Sequence, residues 1–600
     1  MAAHSYWCIR PTTNQAHTGV ATTFAEIGMM TTVGGATVTT GGTVVKSSEQ
    51  AGALAVNAFD GNTSTLFKFS VGNEGGYIGY NFPSPVDILE YYIVATSVVG
   101  AYIYSPMDFT FEYSDDGSSW TVVDTRTLQN QWYQGQKRIY TLGVASAKIV
   151  ITESSVTVPS DFVGIHDGGR VNAANDTSLL YGSYRTHDAA LSWEKIELTD
   201  NTFTWTNLDA CITAQLARSA TVMLTLHGTP VHCVDPTWYA LRTAWTANQA
   251  GITVNTVRRP TVSNNILYKC TAITTGTTAS SEPTWPLTGS VVDGGVTWTV
   301  ITDVYGLVMG AAPTDPDKVK RYVTALLNRY NTGATKQITY MELGVNEPNL
   351  QTEQYAGFYW GNAQTLVNQS KAAYDAIMAF PLAQRPIILS PGFTNQSNFT
   401  WGLNPFLNTQ DTYSVPAKYG SEMIQAAGWH PYNYAMDAGS TNPYWYQKNG
   451  NFGILTIRAA LAAATVPASV PIYVTEWGYD GSFSTVVTDW MKKGKWTTYR
   501  QMERWLAMNA LMGVSGVYLY SYNAGNCGNW SSVAIGGYAP DHQGAKAAIN
   551  RAHKSLAGKT FTKAYEYEDG SIEAFSNGVS YGFGKYKPTG RSIAGVMINP

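Results

Sequence analysis

Over residues 1–155 apolar and polar positions alternate in short segments such as Tyr77-Ile78-Gly79-Tyr80, Phe109-Thr110-Phe111-Glu112-Tyr113 and Lys148-Ile149-Val150-Ile151. A period of two is the signature of half-buried strands, and Gly, Asp, Asn and Ser between the segments supply the turns. In Ser114-Asp115-Asp116-Gly117-Ser118-Ser119-Trp120, Gly117 is the residue suited to the positive φ that the turn requires. This part is expected to be an all-β sandwich.

From residue 156 the pattern changes to short apolar runs separated by longer amphipathic stretches, the mark of an α/β barrel. Eight candidate strands cover 162–167, 179–185, 222–228, 338–346, 386–391, 425–431, 472–477 and 516–522. Helices are expected at 207–218, 316–330, 354–379, 452–464 and 498–512. Eleven residues separate the first two strands, too few for a full helix, so the first helix should be short or missing. The barrel is expected to span 156–555. A small β module over 243–303 interrupts it after the third strand, and 556–600 alternate again as C-terminal β strands, packed on the barrel or completing a small sheet. The fold class is thus multidomain: a (β/α)8 TIM barrel with an N-terminal β-sandwich, a small β insert and short C-terminal strands.

A length of 600 residues exceeds one hydrophobic core and agrees with several domains. Charged residues make up only 13% while aromatics reach 12%, with 38 Tyr and 18 Trp. Such a surface suits stacking on sugar rings, and equally suits β-rich cores. The formal net charge is −4 and no long basic run occurs, which argues against nucleic acid as a partner. Five scattered cysteines (Cys8, Cys211, Cys233, Cys270, Cys527) form no CxxC pair and no disulfide framework. His227 and His232 have no HExxH context, so no metal and no cofactor are expected. No secretory signal is recognisable at the N-terminus, and no run of apolar residues is long enough to cross a membrane.

Two carboxylates carry the chemistry. In "MELGVNEPN" (341–349) an apolar strand delivers Asn346 and Glu347 at its end, and in "IYVTEWGYD" (472–480) another delivers Glu476 and then Trp477. These are the fourth and seventh strands in order, and a barrel places its chemistry where strands end. Glycosidic cleavage needs one carboxylic acid to protonate the leaving oxygen and one carboxylate to attack the anomeric carbon. Each Glu alone could instead be half of a structural ion pair, a reading that loses ground once both occur in these contexts.

The NEP and TEWG segments resemble those of clan A retaining glycoside hydrolases, most of all glycoside hydrolase family 39. "YRTHD" (184–188), "FTWTNLDACITAQL" (203–216) and "GWHPY" (428–432) extend the likeness over 160–555. The resemblance implies Glu347 as acid/base and Glu476 as nucleophile. It implies Asn346 on the sugar 2-hydroxyl, Arg185 beside Glu476, and His430 and Tyr432 lining the site and orienting the nucleophile. His166, His187, Trp477 and Tyr520 are further expected sugar contacts. The chain departs from the family in its degenerate first helix, its enlarged third-strand loop and its shortened C-terminal β region, which puts the substrate in question more than the reaction.

"NAFDGNTSTLF" (57–67) and "FEYSDDGSSWTVVDT" (111–125) resemble discoidin-like, galactose-binding-like sandwiches, and the opening "SYWCIRPTTNQ…FAEIGM" resembles the form of that module found in phage tail proteins. The sandwich is expected either to bind carbohydrate or to attach the chain to a larger assembly. The insert, with "SEPTWP" (281–286) and "DGGVTW" (293–298), resembles small modules of phage tail and chitin-binding-like proteins. Its Trp285 and Trp298 would either grip polymer or fill the module's own core. Together these readings point to a phage tail depolymerase acting on a bacterial surface, capsular or exopolysaccharide. Its partners would be that polysaccharide and other tail proteins, and its place a virion tail or the extracellular space after release. The alternatives are a non-catalytic carbohydrate-binding tail adhesin and a cellular β-xylosidase-like exo-glycosidase.

Overall fold

The computed structural model describes residues 2–584 apart from 17–20, 71–74, 99–100, 145–146, 168–170, 188–190, 235–242, 301–310, 351–358, 395–401, 432–453, 478–495, 523–539, 568–570 and the single positions 128, 130, 131, 133, 263, 265, 334, 345, 349, 360 and 521.

All eight expected barrel strands form, and all are parallel. They are Val163–His166, Ser183–Arg185, Thr221–Thr225, Ile338–Glu342, a split fifth strand, Ala427–His430, Ile472–Trp477 and Gly516–Tyr520. The fifth strand is broken by Pro391 and Gly392. Its first piece, Ile387–Leu389, pairs with the fourth strand, and its second, Phe393–Thr394, pairs with the sixth. A bridge from Leu389 to Ala426 helps close the ring.

Strand alternation divides each strand between two environments. Outward residues such as Ile165, Tyr184, Leu224, Met341, Trp429 and Val517 join the large core beneath the helices. Near the N-terminal ends, Met223, Tyr340, Leu389, Ala426, Tyr473 and Tyr518 form a separate buried cluster that plugs the interior. Two residues further along the same strands the inward positions are polar, Thr225, Glu342, Thr475 and Tyr520, apart from Gly428. The barrel therefore has a tyrosine-rich floor and a polar mouth.

The helices expected at 207–218, 316–330 and 498–512 appear as Thr206–Ala217, Pro316–Tyr330 and Trp496–Leu511. Those expected at 354–379 and 452–464 appear as Ala363–Met378 and Ile454–Ala463. Asp315 caps Pro316–Tyr330 by accepting from the Asp317 N–H, with proline at the first turn where no donor is missed. The first helix is reduced to Asn172–Asn175, as its short link requires. Pro540–Leu556 is a further helix that the hydrophobic pattern had not marked.

The N-terminal region is a sandwich. One sheet has five strands, led through the middle by His4–Asn14 between Ile78–Val86 and Pro106–Ser114. The facing sheet contributes Glu26–Met30, Glu90–Val94 and Lys137–Thr141. Between them Trp7, Phe111, Tyr91 and Tyr140 are fully buried, with Tyr91 stacked 4.1 Å from Phe111. Gly117 takes the expected positive φ of 74°.

The C-terminal strands both pack on the barrel and complete a sheet, and the sheet they complete is the sandwich's own. Lys563–Tyr567 pairs with Lys148–Thr152, so it and the two following strands extend the second sandwich sheet to seven strands. One face of the enlarged sheet, including Ile149, Ile572 and Phe583, belongs to the barrel's hydrophobic core, as does Phe561 of the neighbouring strand Thr560–Phe561. Arg504 of helix Trp496–Leu511 also makes a buried ion pair with Glu566. A strand pairs wherever a complementary edge is open, and alternation alone cannot name that edge.

The insert is an independent four-stranded antiparallel sheet with its own small core. Trp298 is wholly buried and donates to Asp293 at 2.8 Å. Trp285 packs 4.3 Å from Tyr268 in the same core. Trp298 thus fills the module's core, the second of the two roles open to it, and Trp285 packs against that core.

Phe561 is 0% exposed at the junction of barrel and shared sheet. Phe561→Ala is expected to lower the unfolding free energy by about 3–5 kcal/mol in a denaturant titration. A cost under about 1 kcal/mol would mean that the junction contributes little.

Candidate active site

The polar mouth is organised by Arg185, which arrives inward-facing at the end of the second strand and is 0% exposed. Its Nε and Nη2 donate to Glu342 Oε2 at 3.0 and 2.7 Å. Its Nη1 donates to Glu476 Oε2 at 2.8 Å, and its Nη2 also donates to Asn346 Oδ1 at 2.7 Å. A guanidinium only donates, so the Asn346 amide must turn its oxygen toward it and its Nδ2 the other way. Thr225 Oγ1, register partner of Glu342, adds a third donor to Glu342 Oε2 at 3.0 Å.

Burial works against the charges of Glu342 and Arg185, and pairing overcomes it. The Glu342 carboxyl is pushed up by burial, but the Arg185 charge and hydrogen bonds outweigh this and hold it below the usual carboxylate range. Burial likewise works against Arg185, which Glu342 and Glu476 nevertheless hold above its ordinary value.

Glu476 reaches the mouth through a β-bulge. Val474 pairs with Val517 but Trp477 pairs with Leu519, so the seventh strand carries one extra residue. Thr475 and Glu476 both serve the mouth as a result, and Trp477 turns outward. Bulges beside active sites commonly re-aim a side chain in this way. Trp477 is 5% exposed and stacks 3.9 Å from Trp505 of the helix layer, a core position that corrects its expected role as a sugar contact.

Glu347 follows the fourth strand with φ at +48°, a left-handed conformation that costs a non-glycine residue of order 1–3 kcal/mol. Its N–H donates to the Gly392 carbonyl at 2.9 Å, which helps hold the turn. His430 Nδ1 lies 2.9 Å from Glu347 Oε1, and its Nε2 lies 3.0 Å from Thr475 Oγ1. His430 therefore pairs with the proposed acid/base, whereas the resemblance had it orienting the nucleophile. Its burial drives its pKa down to about 4, the nearby Glu476 and Glu342 opposing and Arg185 reinforcing the shift. The ring is neutral above that pH.

Three histidines form one wall. His166 Nε2 donates to the His187 carbonyl at 2.6 Å, and its Nδ1 lies 3.8 Å from Glu476 Oε2. The His187 ring sits 5.4 Å from that of His166 and 4.5 Å from that of His227. Tyr520 meets His166 edge-on at 4.8 Å. Tyr432 lies outside the described residues.

The sequence reading missed Glu342, Thr225 and Thr475, and weighed His227 only as a metal ligand. Parity was the available signal for Glu342: it sits two residues after the floor residue Tyr340, so an inward charge there demands a buried partner. Sets of possible metal ligands do occur, namely His166, His187 and Glu476, then Glu347, His430 and Glu476, then Glu197, Asp200 and His232. In the first two, the Arg185 guanidinium already holds Glu476. In the third, Arg321 already bridges Glu197 and Asp200. These donor sets are neutralised by the protein's own cations.

No protein-family model matches the chain, and no curated protein sequence matches it. Solved structures show distant likeness. A glucosidase from Croceicoccus marinus is 10% identical, covering 70% of this chain and 71% of its own, with a TM-score of 0.39. A GH39 enzyme from Xanthomonas axonopodis pv. citri is 15% identical over the same shares, with a TM-score of 0.37. A GH30 endoxylanase from Clostridium papyrosolvens is 12% identical over 70% of this chain and 82% of its own, with a TM-score of 0.34.

Arg185→Met strands the Glu342 charge in the interior, and stability at neutral pH should fall by about 3–5 kcal/mol. In the parent the depressed Glu342 pKa contributes stability that is present above its unfolded value and lost as pH falls through the folded one. The gap between parent and variant should therefore narrow in acid, as urea titrations at several pH values would show. A gap independent of pH would sever Glu342 from the effect.

Proposed function

We propose that the chain is a retaining glycoside hydrolase that cleaves a bacterial surface, capsular or exopolysaccharide by double displacement. One observation carries this reading: oxygens of Glu347 and Glu476 lie within 4.8 Å of each other, together with a ring nitrogen of His430. A retaining pair is separated by roughly 5–5.5 Å, whereas an inverting pair stands about 6.5–9.5 Å apart to admit a water.

In the first step Glu476 attacks the anomeric carbon while protonated Glu347 gives its proton to the departing glycosidic oxygen. The carbon–oxygen bond breaks and a glycosyl ester forms on Glu476. In the second step Glu347, now a carboxylate, takes a proton from water as the water oxygen attacks the same carbon and releases Glu476. Arg185 fixes one oxygen of Glu476. Asn346, its oxygen turned to Arg185, offers Nδ2 to the sugar 2-oxygen, a contact that strengthens as charge develops. His166, His187 and Tyr520 line the wall where the same sugar would sit. The likeness of the N-terminal sandwich to phage tail modules supports a place on a virion tail, with attachment or sugar binding as that module's task.

The test is a panel of bacterial exopolysaccharides with mass analysis of products and NMR of the first-formed anomer. Retention is expected, and an inverted product would reject double displacement. Glu347→Gln and Glu476→Gln should each lower turnover by about 10²-fold or more. A variant keeping over about a tenth of the parent rate would remove that residue from its role.

A further inference from the structure

Between the ends of the third and fourth strands, beside the mouth, lies a cavity that the hydrolytic steps leave unused. Trp193, Leu226, Val319 and Tyr322 give it apolar walls, and each is under a tenth exposed. Trp193 and Tyr322 stack with ring centroids 5.2 Å apart, so one side is an aromatic surface. The space measures about 370 Å³ out to its open mouth, and its enclosed part is small. It suits a substituent of a few heavy atoms and not a sugar ring.

Two polar side chains interrupt these walls. Gln369 of helix Ala363–Met378 is 6% exposed, and its Oε1 meets no donor among the described residues. A Cβ on Gly344, whose φ is +75°, would stand 3.5 Å from Gln369 Nε2, so a glycine there leaves the amide uncrowded. The second is His227. Its Nδ1 donates to the Thr225 carbonyl at 3.1 Å, and its ring stands 4.5 Å from that of His187, on the wall where the sugar would sit. The cavity thus shares His227 with that wall, and Gly344 with the strand end that leads to Asn346 and Glu347.

A buried amide oxygen is costly to leave without a donor, and an occupant that answers it must also suit the apolar walls. A sugar hydroxyl can donate but has nothing for those walls. An O-acetyl ester has a methyl but no N–H. An acetamido group has both, and in a trans amide the methyl and the N–H lie on one side with the carbonyl on the other. We propose that this cavity is a subsite for an acetamido group of the glycan, Gln369 Oε1 accepting its N–H while Trp193 and Tyr322 cover its methyl. The inference rests on the hydrolase reading for the sugar beside the cavity, and names the substrate class as a polysaccharide with N-acetylated amino sugars. Asn346 faces the 2-oxygen of the cleaved sugar, so the acetamido group belongs to another carbon of that sugar or to its neighbour.

Saturation-transfer NMR on the full-length protein tests this without cleavage. The probes are N-acetylglucosamine, N-acetylgalactosamine and N-acetylmannosamine, their parent hexoses, and 6-O-acetylglucose. At least one N-acetylhexosamine should bind about tenfold or more tighter than its parent hexose, with its acetyl methyl receiving the most saturation. Gln369→Met keeps the side-chain length without the amide and should abolish that preference, as should Val319→Phe by filling the space. If either variant fails to fold, the other and the comparison of probes on the parent still decide. Binding of none of the three, equal binding of hexose and N-acetylhexosamine, or an ester bound as well as the amide would each overturn the proposal. So would a preference unchanged in Gln369→Met, the result expected of a cavity that holds only water. The expected preference in a protein that cleaves no glycan would refute the hydrolase reading alone. Glycan cleavage by a protein without the preference would refute this inference alone.

Discussion

A guanidinium that is wholly out of water is the constraint around which the barrel mouth is built. Taking a charge from water into a protein interior costs several kcal/mol even after relaxation, and only opposed charge and well-aimed hydrogen bonds repay it. Arg185 meets that demand with Glu342, Glu476 and Asn346, drawn from the fourth and seventh strands and the turn after the fourth. Each partner is thereby held at the barrel mouth. The interaction that makes the buried charge tolerable is the same one that aims Glu476 and turns the Asn346 amide. Stability and site geometry rest on one side chain.

Much of this was legible because parallel barrel strands announce themselves as short apolar runs, and because a carboxylate at the end of such a run is conspicuous. Asn346, Glu347 and Glu476 stood out for that reason, and Arg185 was paired correctly with Glu476. Glu342 was passed over because it lies inside the apolar run rather than at its end, although its parity with Tyr340 marks it as inward. Trp477 and Thr475 were misjudged or missed because one extra residue in the seventh strand changes which side chains face the mouth. A bulge leaves no signature in alternation that short. His430 beside Glu347 depends on a split fifth strand that admits Gly392, a three-dimensional fact with no local pattern behind it.

The C-terminal strands illustrate a different limit. Their alternation was plain, but the edge they join lies more than 400 residues earlier in the chain, at Lys148–Thr152. Hydrogen-bonding edges are generic, and the selection among them comes from what covers the two faces. Here one face meets the barrel through Phe561, Ile572 and Phe583, with Arg504 and Glu566 as its buried ion pair. The sandwich and barrel are therefore joined by a face of the seven-stranded sheet packed on the barrel rather than by a linker alone.

The barrel interior separates two tasks by height. At the floor, Tyr340, Tyr473 and Tyr518 fill space, and small residues on neighbouring strands make room for them: a Cβ on Gly164 would lie 2.5 Å from the Tyr518 ring. At the mouth, glycine makes room for hydrogen bonds instead of rings, as Gly392 and Gly428 do around Glu342, Thr475 and His430. The same residue type thus serves packing at one level and polar convergence at the next. A polar cluster this deep is favourable only if its members are satisfied together, since a half-paired buried network is costlier than an apolar one. That requirement couples the residues, since His430 meets Glu347 on one side and Thr475 on the other.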